Sequence, residues 1–527
     1  MFTKRKVSIL FIVVAILHLG LIVYFGAQKS GFHEDEYFSY WSAAGNSALQ
    51  YNNSTQWTTG RDLLLHYTVS SMNRFNYKAV VYNQAMDVHP PLYYIALNIL
   101  MSLKPDSFTK WFGISLNALF SMISLAGITF LFYRMNGKDH WIRALAASLI
   151  YAISPAVLSN VMFARMYAMF TMWNVLYTCV LFEVMHNTAE SKRRFAILTL
   201  FGSIICYFSF LTHYFCLFLP FCLTVGYVIY TLITRKGFLK LLIYGVSMLA
   251  AVGLAVYTFP TSLYHIFSGY RGTGAIDGLI HYSLWDKIVL FYPILNKNFF
   301  GGLLIPILVI VILALLWISI RRSEPKIVFF EWAMLVSCLV SGAVLTKTSL
   351  YFSDASACRY FYAVGSLLLP LSFVIMLQFV DTFFRDEKKK KSIKIILTLL
   401  VFGLNLAPQT VRLFNNGVYF LYPEEKQNIE FSVKNKDYPV ILVYGSGEGY
   451  RSEYRICQIW PYSDVLLAEA GSFRNCFDDE KLREAGKIIV HVDAPEDYMQ
   501  ELVDSIPYLH EYTLIRHEPY FYIYELE

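Results

Sequence analysis

Charged residues are scarce in this 527-residue chain, at 16% of the sequence, whereas an average soluble protein has about 25%. Cysteine is scarce too, and none of the eight residues falls in a CxxC or Cys/His spacing typical of a metal site. The chain also lacks a GxxxxGK[ST] phosphate-binding loop. These absences exclude a soluble enzyme, a disordered protein and a disulfide-stapled secreted domain, and they argue against an ATP site.

Apolar sequence takes the place of the missing charge. Hydrophobic residues make up 56% of the chain and aromatic residues 17%, and the mean hydropathy is +0.45. The first apolar run follows Lys4–Lys6 and no small-residue cleavage site comes after it, which indicates an uncleaved anchor. Apolar runs able to cross about 30 Å of hydrocarbon are predicted near residues 7–26, 111–133, 142–158, 168–187, 195–212, 214–233, 240–260, 301–320, 327–346, 363–381 and 393–410.

The net charge of +6 hides an uneven distribution. Residues 1–410 contain 33 Lys and Arg against 17 Asp and Glu, a net charge of +16, whereas residues 411–527 contain 11 against 21, a net charge of −10. If the short apolar run 91–103 does not cross, 21 of the 33 basic residues fall in short loops on one side, which the positive-inside rule assigns to the cytoplasm. We therefore predict a re-entrant or interfacial helix at 91–103, a cytoplasmic N-terminus and an external tail, in a bacterial plasma membrane.

The chain is predicted to have two domains, a polytopic α-helical membrane domain over 1–410 and an extracytoplasmic α/β domain over 411–527. The first external loop, 27–110, is expected to carry the active site. In the tail we predict a helix at 495–505 and strands at 439–444, 464–468, 487–492, 511–516 and 519–525. The glycine-rich stretch 445–449 is not GxGxxG, so no nucleotide cofactor is predicted. Cys457 and Cys476 can be bonded to each other or reduced.

Two motifs lie at the ends of the first external loop. It begins with GFHEDEY at 31–37 and ends with DVHPPLYY at 87–94. Three adjacent carboxylates at a membrane surface make one of them a candidate general base, although such a run also suits the N-terminus of a helix. The two prolines suit the start of a helix and would hold His89 at the surface, as a ligand or as a helix cap.

Together with three further stretches, these motifs resemble those of the GT-C membrane glycosyltransferases, and in particular the bacterial branch related to protein O-mannosyltransferases and lipid A aminoarabinose transferases. The further stretches are MFARMYAM at 162–169, LTHYF at 211–215 and CRYFYAVGSLLLP at 358–370. The resemblance covers about residues 1–410 and implies a fold of about eleven spans plus a juxtamembrane helix. It also implies a reaction in which a sugar passes, usually with inversion, from a polyprenyl-phosphate donor to a hydroxyl of an external glycan, lipid or protein. The protein would then contact membrane lipids, and it would have no nucleic-acid partner.

The resemblance also implies roles for individual residues. Asp35 matches the family's base, and Glu36 would orient the site or help to hold a metal. Relatives carry an acidic residue beside the Ala-Arg-Met segment where this chain has Phe163 and Tyr167, so dependence on a divalent metal stays open. The donor-phosphate candidates are His89, Arg165 and Arg359. The other candidates are Tyr37, Tyr93, Tyr360 and Arg271 for substrate, and Glu36, His89 and His213 for a metal.

Two alternative functions belong to other classes. One is a transporter or lipid flippase with an external sensor domain. Charges in mid-span, broken helices in paired positions or inverted repeats would be typical of such a protein. Glu183 and Glu331 lie in predicted spans, and both fall near predicted cytoplasmic ends. A non-catalytic assembly protein would leave Asp35, Glu36 and His89 without a purpose. The glycosyltransferase interpretation therefore stands first.

Overall fold

A computed structural model describes residues 2–46, 56–187, 191–321, 325–350, 354–384, 391–444, 455–469, 479–492, 495–505, 511–518 and 521–526. The contacts among them divide the chain into two compact units. Unit 1 contains residues 1–27, 84–93 and 113–420, and unit 2 contains residues 28–83, 94–112 and 421–527. Most of the first external loop therefore groups with the tail, while its ten-residue segment 84–93 groups with the spanning helices.

Unit 1 is built from long apolar helices. Within the described residues, nine helices are long and apolar enough to cross a membrane, and two bent helix pairs raise the number to eleven. The predicted polytopic helical fold is therefore confirmed. The helices are α1 (Phe2–Gln28), α6 (Lys110–Asn136), α7 (Trp141–Ile153), α8 (Pro155–Met162), α9 (Tyr167–Asn187), α10 (Lys192–Thr212), α11 (Phe218–Thr234), α12 (Phe238–Thr258), α13 (Thr261–Phe267), α14 (Tyr270–His281), α15 (Leu284–Phe300), α16 (Leu304–Ile320), α17 (Pro325–Thr348), α18 (Asp354–Cys358), α19 (Tyr362–Phe383) and α20 (Lys391–Phe414).

Each bent pair has a local cause in the sequence. Helices α7 and α8 meet at 52°, where Pro155 starts α8 because proline lacks the N–H that would continue the first helix. Helices α15 and α16 meet at 75° across Gly301 and Gly302, whose φ angles of 58° and 93° favour glycine. Residues 261–300, which lie between two of the predicted spans, form α13, α14 and α15.

The first-loop part of unit 2 is also helical. The run 91–103, predicted to be a short helix that does not cross, forms the twelve-residue helix α5. At 1.5 Å per residue it is about 18 Å long, which is too short to cross about 30 Å of hydrocarbon. The helices of this part are α2 (Glu34–Ala44), α3 (Gly60–Leu65), α4 (Tyr77–Met86) and α5 (Leu92–Leu103).

The tail in unit 2 folds around a six-stranded sheet of order β1-β3-β2-β4-β6-β5. Strand β2 pairs in parallel with β3 and β4, and the other pairs are antiparallel. All five predicted strands and the predicted helix are present. The strands are β1 (Gln56–Thr58), β2 (Val440–Tyr444), β3 (Val465–Glu469), β4 (Ile488–Val492), β5 (Tyr512–Glu518) and β6 (Phe521–Leu526). The helices are α21 (Glu425–Lys434), α22 (Ile456–Ile459), α23 (Glu480–Glu484) and α24 (Pro495–Ser505).

Strand β1 comes from the first external loop and was not predicted. Gln56 pairs with Leu467 of β3, and the indole Nε1 of Trp57 donates to the carboxylate of Asp479 at 2.5 Å. The apolar core of the sheet includes the fully buried residues Ile441 and Val490. The glycine-rich stretch 445–449 and Cys476 lie outside the described residues.

Candidate active site

The three adjacent carboxylates occupy the first turn of α2, in unit 2. His33 is the N-cap, and its Nδ1 accepts a hydrogen bond from the backbone N–H of Asp35 at 3.1 Å. The Glu36 carboxylate accepts from the backbone N–H of His33 at 2.7 Å, which completes a capping box. A helix N-terminus favours negative charge, so the acidic run has a structural reason to be here. A catalytic role therefore depends on the surroundings of each individual side chain.

Glu36 is held in a buried ion pair. The Lys29 Nζ and the Glu36 Oε2 lie 3.0 Å apart, and neither side chain is exposed. Burial lowers the pKa of Lys29, and the charge of Glu36 opposes that shift. The ammonium also lies 5.2 Å from the ring centroid of Phe32 and 5.5 Å from that of Tyr422. The carboxylate of Glu36 thus has two hydrogen-bond donors from the protein itself.

Asp35 differs from Glu36 because its side chain keeps access to solvent, with 19% of its surface exposed. The Asp35 Oδ2 lies 3.6 Å from the His33 Nδ1. Because that nitrogen accepts the N–H of Asp35, it carries no proton in the capped form. A partly exposed carboxylate on a fixed helix turn can take a proton from a bound hydroxyl.

Tyr37, a candidate substrate residue, packs inside unit 2. Its ring stacks with Phe108 at a centroid distance of 6.4 Å and meets Tyr67 edge-on at 5.7 Å. Its hydroxyl is hydrogen-bonded to the thiol of Cys457. Burial raises the pKa of Tyr37 well above its usual value and that of Cys457 to about 12. Both groups are therefore neutral at physiological pH.

Unit 1 brings together four basic side chains that the sequence singled out, here called the basic cluster: His89, Arg165, His213 and Arg359. They come from the segment before α5, the turn between α8 and α9, the end of α10 and the turn before α19. The rings of His89 and His213 lie 5.8 Å apart. Burial lowers the pKa of His213 well below its usual value, and the charges of His89, Arg165 and Arg359 lower it further. His213 is therefore neutral, and its Nδ1 accepts from the N–H of Phe215 at 3.1 Å, which leaves the proton on Nε2.

Tyrosine rings line the basic cluster. The Arg359 guanidinium carbon lies 5.2 Å from the ring centroid of Tyr360 and 6.0 Å from that of Tyr167. The Tyr167 ring also lies 5.8 Å from the ring of His213. Tyr360 was a predicted substrate residue. Tyr167 had been considered only as the position where relatives carry an acid, and its place beside Arg359 was not predicted.

Asp87 is a second residue that the sequence reasoning missed. Its Oδ2 lies 3.1 Å from the Nδ1 of His89. Burial alone would raise the pKa of Asp87, but the hydrogen bond with His89 and the charges of His89 and Arg165 outweigh it and lower that pKa. The spacing of Asp87 and His89 was visible in the DVHPP motif and could have indicated this pairing. Asp87 is thus an ionised carboxylate beside the basic cluster.

Other predicted residues stand elsewhere in unit 1. Arg271 is exposed on α14, with its guanidinium carbon 5.1 Å from the ring centroid of Tyr270. Tyr93 is fully buried at the start of α5. Among the described residues, no group of three His, Cys, Asp or Glu side chains is placed to hold a metal ion, and Glu36 is engaged by Lys29. The predicted metal candidates Glu36, His89 and His213 are not part of such a group, and a role for any of them in metal binding stays a prediction.

Neither a family model nor a curated protein sequence matches this chain. Among solved structures, it is similar to ArnT from Cupriavidus metallidurans in the apo state, with a TM-score of 0.52 and 11% identity over 99% of this chain and 98% of that one. This chain has the GT-C fold. The same ArnT bound to undecaprenyl phosphate gives a TM-score of 0.51 and 10% identity over 98% and 97% of the two chains. The oligosaccharyltransferase of Archaeoglobus fulgidus in its apo form gives 0.49 and 11%, over 96% and 72%.

The GT-C likeness extends further than the sequence motifs did. The motifs covered about residues 1–410, whereas the match to ArnT includes nearly all of the tail as well. The GT-C fold therefore accounts for both the spanning helices and the small C-terminal sheet. At this level of identity the match establishes the fold, and the reaction has to be argued from the side chains.

Proposed function

We propose that this protein is a membrane glycosyltransferase that moves a sugar from a polyprenyl-phosphate donor to a hydroxyl of an extracytoplasmic glycan, lipid or protein. The catalytic part is assigned to residues 1–410, with the first external loop, and the tail 411–527 is a soluble extracytoplasmic α/β domain. The N-terminus is cytoplasmic, in a bacterial plasma membrane. This orientation is supported by the concentration of basic residues in the loops predicted to be internal.

The basic cluster is the observation that carries the proposal. Two nearly buried guanidinium groups, a neutral imidazole with a proton on Nε2 and a further histidine converge within unit 1. Arginine is well suited to bind phosphate oxygens. A polyprenyl-phosphate sugar carries one negative charge on its phosphate, and the departing polyprenyl phosphate gains a second. His89, Arg165 and Arg359 would stabilise that developing charge. The ArnT of the same fold binds undecaprenyl phosphate, which supports a donor of this class.

Asp35 is proposed as the general base. It would take the proton of the acceptor hydroxyl while that oxygen forms a bond to the anomeric carbon of the sugar. The bond from the anomeric carbon to the phosphate oxygen breaks, and its electron pair leaves with the polyprenyl phosphate. Attack opposite the leaving group inverts the anomeric centre. Glu36, held by Lys29 at 3.0 Å, would keep the first turn of α2 in place rather than take the proton.

The remaining predicted residues are assigned to substrate binding. Tyr360, beside Arg359, is proposed to contact the donor. Tyr37, Tyr93 and Arg271 are each proposed as substrate-binding residues, and Arg271 is the most accessible of the three. Exposed aromatic residues on α13 and α14 suit contact with sugars or with the membrane surface.

The test uses membranes that contain the full-length protein and a polyprenyl-phosphate sugar. Asp35→Asn should abolish sugar transfer at unchanged expression. Glu34→Gln changes an exposed carboxylate in the same helix turn and should leave transfer intact. Full activity in Asp35→Asn would contradict the assignment of the base.

A second measurement tests the phosphate site without knowledge of the sugar. Binding of undecaprenyl phosphate to the purified protein should weaken about tenfold or more in Arg359→Gln, because a charge-assisted hydrogen bond is worth about 1.5–3 kcal/mol. Arg235→Gln, which changes an exposed arginine after α11, is the matched control. Equal affinity in both variants would refute the phosphate site.

A further inference from the structure

The segment 84–93 makes its contacts mainly within unit 1. It carries Asp87 and His89, yet the residues on either side of it belong to unit 2. A long-range side-chain contact reaches it two residues before Asp87. The Nε2 of His265, on α13, lies 3.2 Å from the backbone carbonyl oxygen of Ala85. His265 is thus placed to fix where this segment lies.

The second ring nitrogen of His265 also has a partner. Its Nδ1 lies 2.8 Å from the hydroxyl of Tyr214. Because a carbonyl oxygen can only accept, the Nε2 must donate to Ala85, and in the neutral ring the Nδ1 then accepts the proton of the tyrosine hydroxyl. The ring of His265 is 2% exposed, and the rings of Phe259, Tyr264 and Tyr214 surround it. One neutral tautomer therefore satisfies both hydrogen bonds.

Tyr214 links His265 to the other histidine-bearing segment. It directly follows His213, the N-cap of the short 3-10 helix that begins at Tyr214. The chain Ala85–His265–Tyr214 therefore connects the backbone beside Asp87 and His89 to the backbone beside His213, whose ring lies 5.8 Å from that of His89.

Helix α13, which carries His265, is itself packed closely. A Cβ atom on Gly272 of α14 would lie 2.2 Å from the carbonyl oxygens of both His265 and Ile266, so only glycine allows α14 to approach α13 this closely. Helix α14 in turn rests on α17, where Gly278 lies against the carbonyl of Lys347. These close contacts between α13, α14 and α17 hold the backbone of His265 in a fixed position.

We propose that His265 and Tyr214 are positioning residues of the basic cluster. They hold the segment with Asp87 and His89 at the distance from His213 that phosphate binding requires. This inference rests on the proposed function, since it assigns the pair to the same phosphate site. Neither residue touches the phosphate, and both act through the backbone that they hold.

The test measures the affinity of the purified full-length protein for undecaprenyl phosphate. Tyr214→Phe removes one hydroxyl and should weaken binding about three- to tenfold, the range of one neutral hydrogen bond. His265→Leu removes both bonds and should weaken it more. His265→Gln should recover part of that loss, because its side-chain amide can still donate to Ala85. Tyr207→Phe, which removes a hydroxyl bonded to Thr258 at 3.0 Å, is the matched control and should bind like the wild type.

The outcomes separate this inference from the proposed function. If the wild type does not bind undecaprenyl phosphate, both fail. If the wild type binds undecaprenyl phosphate and both Tyr214→Phe and His265→Gln bind it as tightly as the wild type, only the positioning role fails. If His265→Leu does not fold, these two milder variants still test the role. An equal loss of affinity in Tyr207→Phe would mean a general effect of packing and would also overturn the role.

Discussion

The buried pair of Lys29 and Glu36 leads to a prediction that separates stability from catalysis. Glu36→Gln keeps an oxygen that can accept the N–H of His33, so it preserves the cap and removes only the charge. Lys29 is then buried without its counter-charge, since neither side chain of the pair is exposed. Breaking a buried ion pair on one side costs about 3–5 kcal/mol. For a unit of this size we expect Tm to fall by roughly 10 °C.

The pH dependence of that loss follows from the pKa of Lys29. Burial already lowers this pKa in the wild type, and Glu36 opposes the shift, so removing Glu36 lowers it further. At a pH between the lowered pKa of Lys29 in the folded protein and its ordinary pKa in the unfolded chain, the unfolded chain binds more protons. The free energy of unfolding of the variant therefore rises with pH in this range. The deficit in Tm should therefore shrink as pH rises towards the ordinary lysine pKa of about 10.4.

The assay is thermal unfolding of the purified protein together with sugar transfer. The double variant Lys29→Met, Glu36→Gln removes both charges and should recover most of the lost stability. If Glu36 is a positioning residue, the double variant should also transfer sugar. Glu34→Gln, exposed in the same turn, is the control. A single variant as stable as the wild type would refute the reasoning on stability, and a stable but inactive double variant would make Glu36 catalytic.

Three further predictions concern unit 1. Because the pKa of His213 lies well below 6.5, the unfolded chain gains a proton first as pH falls below 6.5. Wild-type stability should therefore decline from there downwards, by at most about 1.4 kcal/mol for each pH unit, and His213→Gln should lessen that decline in a Tm series. Gly272→Ala should lower Tm by forcing α14 off the end of α13, at a cost of about 1–3 kcal/mol, whereas Gly274→Ala, with open space around it, should not. Asp87→Asn keeps an acceptor for His89 while removing a negative charge, so it should bind undecaprenyl phosphate at least as tightly as the wild type. Asp87→Ala, which loses the acceptor, should bind it more weakly; equal affinity in both would contradict the role of this pair.

The parts of the fold that follow from local pattern could be predicted from the sequence. Apolar length indicated the eleven spans, and short alternating runs indicated β2 to β6 and the helix Pro495–Ser505. Strand β1 was missed because three residues, Gln56–Thr58, carry no pattern, and their pairing depends on a partner far along the chain. The helices in 261–300 were not predicted because no apolar run there is long enough to indicate a span.

The candidate site was predictable only where a motif stood out. His89, Arg165 and Arg359 were found through their resemblance to known motifs, and the structure brings them together in unit 1. Asp87 and Tyr167 were visible in the same motifs but had no assigned role. The positioning role proposed for His265 had no signal in the sequence, because it depends on a contact with the carbonyl of Ala85, and every residue has such a carbonyl.

The pairing of β1 with β3 has a consequence for biosynthesis. Trp57 and Asp479, which are hydrogen-bonded, stand 422 residues apart in the chain, and every spanning helix from α6 to α20 is translated between them. Strand β1 can therefore pair with β3 only after all of these helices have been translated, and non-local pairing of this kind is slow. A chain truncated after α20 would keep its membrane anchors but leave β1 without a partner strand. Pairing of β1 with β3 thus comes after synthesis of all the spanning helices from α6 to α20.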